Sequence, residues 1–392
     1  MVARRKSNRQ ETSSSITETA KLNSNNESSG HQSIEVLINQ AREALFSLDY
    51  ESARSIVHTA LNQDSNHLGV LSLAGEIYVE LDDYDTAREI FTRGAQLDES
   101  GEEHGVEEEP WVKYLWLAQL SEVGGHESLK MFEKGAKKLQ AASKMLSSGS
   151  NSNQDQDQDL ADRLASVYSS IAELYMRDLC DETEAEILCE QYIMQALSIS
   201  PHGSEPLQTL ASLRISQQRP DEAVSALKSN LAVWKDLSPD SPLYPAYSSR
   251  MALTRLLMET GLLDEAIWVL NGLRETDDEV VDLWYLLGWA WYLQGKKNNS
   301  DVRKRNWTES AACLTRCKRL YERYEWDDME LLEHTNELLL ELIQEGIEPK
   351  EDEIDNNWTD DENGEEDEDE EEDEEDEEDE NVEENEEMQG LD

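Results

Sequence analysis

Trp284-Tyr285-Leu286-Leu287-Gly288-Trp289-Ala290-Trp291 is the stretch of sequence that indicates how this chain folds. Its Trp, Leu, Gly and Trp at positions 284, 287, 288 and 291 recur at i, i+3, i+4 and i+7, which places them on one side of an α-helix. Because Gly288 has no side chain, a second helix can approach closely there. The stretch therefore predicts a helix that packs tightly against a neighbouring helix.

A second pattern repeats at a fixed interval. Asp49-Tyr50-Glu51-Ser52-Ala53 is echoed 34 residues later by Asp83-Tyr84-Asp85-Thr86-Ala87. This interval, together with the W-x2-L-G-x2-W pattern at 284–291, is typical of the tetratricopeptide repeat, a pair of helices that cross at small residues. The repeats predict an all-α tetratricopeptide-repeat solenoid of about seven helix pairs. The leucine-rich segment 327–346 is expected to form a C-terminal capping helix, because it cannot bury its apolar face alone.

Changes in composition divide the chain into three parts. Residues 1–30 are polar and are expected to be a disordered N-terminal segment, and 347–392 a disordered acidic tail. Between them, 31–346 are expected to form the solenoid. Polar, acidic or basic stretches predict insertions into the solenoid near 99–109, 147–159, 236–245 and 296–306.

The charge of the chain is strongly negative. Its formal net charge is −54, and the residues from Glu351 onward hold 28 acidic residues and no Lys or Arg, with an unbroken acidic run from Glu365 to Glu380. Removing the tail's −28 from −54 leaves −26, so the solenoid itself is acidic. Direct binding of nucleic acid is not expected, because contacts with phosphate need cations on the protein.

The sequence contains no arrangement of residues that predicts catalysis. It has no P-loop, no G-x-G-x-x-G, no G-x-S-x-G and no H-E-x-x-H. Cys313 and Cys317 lie at i and i+4 but have no matching Cys/His pair, so packing is a better explanation than zinc. We therefore expect no enzyme activity, no metal and no cofactor.

Two further features suggest where the protein works. No stretch approaches the length of apolar sequence that a membrane span needs, so no membrane association is expected. Four cysteines in a chain of 392 residues do not make a disulfide framework. The sequence therefore predicts a reducing compartment, the cytoplasm or the nucleus.

The first helices of such repeats line a concave groove, and positions between their core residues face it. This places a set of carboxylates and aromatic side chains toward the groove: Glu76, Glu80, Glu122, Glu173, Glu205, Glu259, Asp282, Tyr285, Trp289 and Tyr292. The carboxylates alone could be a solvated face. Exposed aromatic residues in a groove instead favour a binding site.

An acidic and aromatic groove suits a segment rich in Lys and Arg. Carboxylates attract such a segment, and aromatic faces hold Arg by cation–π contacts of about 0.5–2 kcal/mol each. The acidic tail adds a diffuse negative field that raises the association rate. The sequence therefore predicts a protein that handles a basic protein partner.

The segment 205–219, EPLQTLASLRISQQR, resembles the middle of the repeat array in a family of fungal assembly chaperones. That family is dedicated to the universal large-subunit ribosomal protein four, and the plan of polar head, irregular array and acidic tail is similar too. The resemblance implies that the protein captures the newly made ribosomal protein, shields its long basic internal loop and keeps it soluble. It also implies escort into the nucleus for pre-ribosome assembly, with an import receptor bound through the client.

Two other functions remain open at this point. A histone-type chaperone would share the acidic tail and the nuclear location. A generic tetratricopeptide-repeat adaptor would clamp the C-terminal peptides of heat-shock chaperones, but that task needs a basic groove to hold a carboxylate.

Overall fold

A computed structural model describes residues 32–100, 105–148, 154–241 and 243–347. Within these ranges the chain is entirely helical, with fifteen α-helices and no strand. This all-helical architecture confirms the predicted fold class. The chain divides into two compact units, one up to Leu262 and one from Leu263 onward.

The first unit contains eleven of the described helices. They are α1 (Ile34–Phe46), α2 (Tyr50–Gln63), α3 (Leu68–Glu80), α4 (Tyr84–Ser100), α5 (Val112–Gln119), α6 (Gly125–Ser148), α7 (Gln154–Arg177), α8 (Ala185–Ile199), α9 (Ser204–Ser216), α10 (Pro220–Trp234) and α11 (Tyr247–Glu259). Consecutive helices pack against each other, and their apolar faces form the core.

The same helix-to-helix turn occurs twice, 34 residues apart. Leu48 and Asp82 have φ of 60° and 58°, and the backbone N–H of the next residue bonds back to Ala44 O and Tyr78 O at 2.9 Å in both turns. This is a Schellman ending. The aspartates that follow, 49 and 83, each cap the next helix through a 3.1 Å side-chain bond. Ala53 and Ala87 then occupy equivalent, fully buried positions.

Small residues mark the helix crossings, as the sequence predicts. A Cβ added at Gly75 would lie 2.4 Å from the Phe91 ring, and one added at Gly288 would lie 2.6 Å from Leu314. Both distances are shorter than any tolerated carbon contact, so these positions require glycine if the helices are to keep their spacing. The glycine in the 284–291 stretch thus sets how closely the helix that carries Leu314 approaches.

The second unit contains α12 (Leu263–Thr276), α13 (Val281–Lys297), α14 (Ser300–Arg323) and α15 (Met329–Gln344). Trp284 and Leu287 are buried and Trp291 is half-buried, so the predicted stripe does face the core of this unit. Leu338 and Leu342 of α15 pack with Trp307 and Leu314 of α14. The capping helix thereby buries its apolar face, as expected.

Two predicted insertions differ from the observed backbone. The basic stretch 296–306 is almost entirely helical, because α13 continues to Lys297 and α14 starts at Ser300. Near 147–159, α6 runs to Ser148 and α7 already begins at Gln154, so polar sequence there extends two helices. The predictions for 1–30, for most of the tail and for 101–104 and 149–153 concern residues outside the described ranges.

Candidate partner-binding site

One candidate site is a cavity of about 510 Å³ in the first unit, which we call the N-terminal cavity. Apolar and aromatic side chains form its walls, and three carboxylates and one guanidinium supply its charge. The lining side chains include Leu45, Leu48, Tyr50, Glu76, Glu80, Glu109, Trp111, Leu115, Trp116, Phe132, Arg163 and Val167. Glu76 and Glu80, both predicted from the sequence, therefore lie in one site.

A buried ion pair holds the segment that brings Glu109 to this cavity. Lys113 is only 1% exposed, donates a hydrogen bond to the Glu107 carboxylate and lies 3.2 Å from the Asp98 carboxylate. Its ammonium also donates to the Pro110 carbonyl at 3.1 Å. These contacts fix residues 107–110 against α5. Glu109 is therefore placed by packing and not by a helical register.

The charge of the N-terminal cavity depends on the burial of Glu76. Burial is the main cause that raises the pKa of this carboxyl to about 7; the neighbouring Glu109 also raises it, whereas Arg42 and Arg163 lower it. Arg163 itself lies 3.4 Å from the Glu109 carboxylate. The site therefore gains negative charge as the pH rises through neutrality, and a cation placed near Glu76 would favour its ionised form.

Two aromatic walls of the cavity show features that suit a bound chain. Trp116 is half-buried and stacks on Phe91 with ring centroids 6.4 Å apart. Trp111 is buried, and its indole N–H has no acceptor among the residues that the structure describes. The indole nitrogen is itself closed to solvent, so Trp111 offers a bound segment its ring and not a hydrogen bond.

Glu173 and Glu205 meet in a second cavity of about 470 Å³ in the same unit. Both residues remain accessible to solvent, yet protein atoms crowd their carboxyl groups, as happens on a concave surface. This crowding raises the pKa of both carboxyls, and Glu173 adds to the effect on Glu205. Leu243 and Tyr244, from the predicted 236–245 insertion, form another wall.

Glu122 lies apart from these carboxylates. It follows the end of the short helix α5 and pairs with Arg88 at 2.7 Å, in a separate cavity lined by residues of α4 and α6. The sequence pattern instead predicts that it lines one groove with Glu76. Because α5 ends at Gln119, Glu122 points from a turn instead.

The two remaining predicted carboxylates lie in different units. Glu259 is exposed at the last position of α11, and Asp282 is half-buried in the first turn of α13. Their proposed joint contact with a partner remains a prediction.

The predicted aromatic cluster of α13 is not an open surface, which corrects the expectation. Tyr292 is only 4% exposed, stacks on Trp307 and donates a hydrogen bond to the Glu341 carboxylate. Tyr285 and Trp289 are half-buried against His334 of α15. The reason is the capping helix, which buries its own apolar face on these rings.

The sequence did not single out several residues that line these cavities. Glu109 and Trp116 lie in the loosest repeat, where the period is hard to follow, and Arg163 lies close to the predicted insertion at 147–159.

The described part of the chain offers little for other kinds of site. None of its helices is long and apolar enough to cross a membrane. Within the same residues no group of three or more His, Cys, Asp or Glu is arranged to hold a metal ion. Cys313 and Cys317 are buried in packing positions, and burial raises the pKa of each thiol to about 12.

Comparison with known proteins agrees with this architecture. The family described as "Tetratricopeptide repeat" matches residues 68–100, which cover α3 and α4. Among solved structures, "Assembly Chaperone of RpL4 (Residues 1-338)" is 37% identical, with a TM-score of 0.61 over 68% of this chain and 98% of that one.

Two curated relatives cover most of the chain. The "Probable assembly chaperone of rpl4" of Emericella nidulans is 36% identical over 349 residues, 83% of this chain and 85% of the relative. The protein of the same name from Schizosaccharomyces pombe is 34% identical over 80% of this chain and 92% of the relative. Similarity of this extent, on the same helical-repeat architecture, shows that the chain belongs to the family of assembly chaperones of rpl4.

Proposed function

We propose that this protein is a dedicated chaperone of the large-subunit ribosomal protein four, rpl4. The observation that carries the proposal is the identity of 34–36% with curated relatives of that name over most of both chains. The protein would bind newly made rpl4, keep it soluble and accompany it until it joins the pre-ribosome. It would act by binding, without catalysis.

The N-terminal cavity supports this function by its chemistry. Glu76, Glu80 and Glu109 face one guanidinium, Arg163, so the site has an excess of negative charge. Its aromatic walls can pack against the aliphatic parts of Arg and Lys side chains and can stack on the planar guanidinium of Arg. An extended basic segment of the client would therefore find both charge partners and apolar contact area in the same cavity.

The exposed apolar side chains beside the cavity add a second kind of contact. Phe46 is 91% exposed and Leu48 is 70% exposed, both at the turn between α1 and α2. Large apolar groups left in water favour a protein partner. A newly made ribosomal protein exposes apolar as well as basic residues, so the edge of the cavity would shield both.

Location and further partners follow from the same proposal. A chaperone that delivers a ribosomal protein to pre-ribosomes works in the cytoplasm and in the nucleus. An import receptor would reach the complex through the client. The protein itself would bind neither nucleic acid nor a membrane in this task.

Soluble co-production tests the proposal. Rpl4 is expressed alone, with this chain, or with this chain carrying Glu76→Lys and Glu80→Lys, and the soluble client is measured after gel filtration. We expect a 1:1 complex and a large increase in soluble rpl4 with the natural chain only. Histone H3–H4 serves as a second basic client.

The outcome separates the remaining alternatives. Equal solubilisation of histones and rpl4 would indicate a general acidic chaperone and contradict a dedicated one. Capture of a heat-shock chaperone C-terminal peptide, with no effect on rpl4, would indicate an adaptor.

A further inference from the structure

A basic segment stands out in this acidic chain. The chain has 34 Lys and Arg against 88 Asp and Glu, yet residues 296–323 contain nine Lys or Arg and three acids, Asp301, Glu309 and Glu322. Most of these cations lie on α14. The proposed binding of a basic client does not use them, because like charges repel.

Three arginines of α14 form a continuous line on its surface. Arg305, Arg316 and Arg323 are separated by eleven and seven residues, so they lie within about 20° of each other around the helix. The opposite face of α14 buries Ser310, Leu314 and Cys317. The line from Arg305 to Arg323, which we call the arginine stripe, therefore points away from the core of its unit and extends about 27 Å.

The arginine stripe is only partly neutralised by the residues that the structure describes. Arg323 lies 3.6 Å from Glu279, an exposed and weak pair. Arg305 and Arg316 have no ion pair in the described ranges, and the buried Nε of Arg316 has no acceptor there. Glu309 is the one acid within the line. The stripe thus retains positive charge that a polyanion would neutralise.

We propose that the acidic run Glu365–Glu380 of the same chain binds the arginine stripe of α14. The chemistry matches, because the run presents sixteen consecutive carboxylates and the stripe presents guanidinium groups along one line. Arginine pairs well with carboxylates through paired N–H donors. The described chain ends at Ile347, which belongs to the same apolar cluster as Leu314, so the run has to pass around α14 to reach the stripe on its opposite face.

The length of the connection allows the contact. Seventeen residues lie between Ile347 and Glu365. A flexible segment of that length has an average span of about 23 Å, similar to the length of the arginine stripe, and a charged one extends further. Tethering gives the run an effective concentration in the millimolar range, far above that of a competing polyanion in solution.

The acidic run would bind α14 when no client is present, and a basic client would compete with α14 for it. Because the ion pairs are exposed, they exchange quickly and weaken with salt. A basic client binding to the first unit would attract the same carboxylates and draw the run away from α14. The proposal goes beyond the chaperone function, and its first test needs no client.

Zero-length carbodiimide cross-linking tests the contact in the full-length chain. The reagent joins a lysine to a carboxylate only when they touch, and the exposed Lys304 lies next to Arg305 at one end of the stripe. At low salt we expect the α14 peptide that contains Lys304 joined to tail peptides. The triple variant Arg305→Glu, Arg316→Glu, Arg323→Glu keeps this lysine and should lower the yield of this product at least about tenfold, since opposite charges become like charges.

A matched variant controls for net charge. It carries three substitutions on the exposed face of α6: Lys130→Glu, Lys137→Glu and Lys144→Glu. They lower the net charge by the same six units and should leave the α14–tail cross-linking yield unchanged. Circular dichroism checks that both variants fold. Mixing ¹⁴N- and ¹⁵N-labelled chains tells contacts within one chain from contacts between two.

Each other outcome overturns the proposal. Tail peptides joined equally to lysines of all helices would show a diffuse tail. Cross-links only between differently labelled chains would make a second copy the occupant. An α14–tail yield unaffected by the triple variant, with loss of binding of a labelled single-stranded RNA, would make nucleic acid the ligand of the stripe.

Discussion

The Tyr285 hydroxyl of α13 and the Nδ1 atom of His334 on α15 lie 2.7 Å apart, within hydrogen-bond distance. The Trp289 ring meets the same imidazole edge-on, with centroids 5.2 Å apart. The surface expected to bind a client is thus where the capping helix packs. We therefore expect client binding to depend mainly on the first unit.

The first prediction concerns Trp289. Trp289→Ala should destabilise the second unit by about 2–4 kcal/mol, because it removes aromatic packing under α15. Client affinity at 20 °C should change less than about threefold. Urea denaturation followed by circular dichroism measures the first quantity and a binding titration the second. Trp268→Ala, at a tryptophan that is 48% exposed, is the control and should cost less. Normal stability with weakened binding would restore Trp289 as a contact residue.

The second prediction concerns the buried lysine of α5. Lys113→Met should lower the free energy of unfolding by about 3–5 kcal/mol, because Glu107 would stay buried without its cation. Burial already raises the pKa of Glu107, and Lys113 opposes that rise. Lys137→Met, at an exposed position of α6, should leave stability unchanged. Equal thermal midpoints for the two variants would show that the 107–110 segment is not held by this pair.

The third prediction concerns pH. Burial raises the pKa of Glu76 to about 7, so the carboxyl is largely neutral at pH 6 and ionised at pH 8. A cationic client favours the ionised form, so affinity should rise about tenfold between these values and then level off. Glu76→Gln should remove this dependence.

The same pKa shift has the opposite effect on stability. The folded state binds the proton of Glu76 more tightly than the unfolded state does. Its contribution to stability is therefore complete below pH 4.5, the ordinary pKa, and is lost as the pH rises through about 7. The binding prediction has its own contrary result: client affinity that falls between pH 6 and pH 8 would contradict a client cation beside Glu76.

The fourth prediction concerns the tail. Deleting residues 351–392 should change the thermal midpoint little, because exposed ion pairs contribute little to stability. Association with the client should slow and become less sensitive to salt, since the deleted segment carries 28 of the chain's acidic residues. Stopped-flow mixing at several salt concentrations measures both effects. A fall of many degrees in the midpoint would show that the tail packs extensively on the folded part.

The fold could be predicted from the sequence because its signals are local and repeat. The Asp–Tyr–x–x–Ala pattern encodes a helix cap and a buried alanine within five residues, and the two copies at Ala53 and Ala87 form the same structure. The crossing at Gly288 likewise follows from one missing side chain. Such features depend on neighbours in the chain and on a constant helix–helix geometry.

The candidate site was harder to predict because it depends on contacts between distant segments. The leucines of α15 show that it buries a face, but they do not tell which rings it covers. Glu109 reaches the N-terminal cavity only because Lys113 fixes the segment before α5. Glu122 leaves the shared surface because α5 ends early. These outcomes follow from tertiary packing and irregular repeats, which the period cannot reveal.

The most direct test compares two pairs of charge reversals in one titration of fluorescent rpl4. Glu76→Lys with Glu80→Lys changes the N-terminal cavity, and Glu259→Lys with Asp282→Lys changes the other predicted carboxylates. Glu89→Lys with Glu275→Lys, at exposed positions outside the cavities, matches the change in charge. The single variant Glu80→Lys changes an exposed residue and controls for loss of binding that is caused by misfolding of the double variant.

We predict that the cavity pair weakens rpl4 binding at least about tenfold and that Glu80→Lys alone weakens it measurably. The control pair should have only the small, salt-screened effect of net charge, and the Glu259/Asp282 pair should slow association at low salt only. Unchanged affinity of the cavity pair, or no binding of rpl4 by the natural chain, would contradict the account.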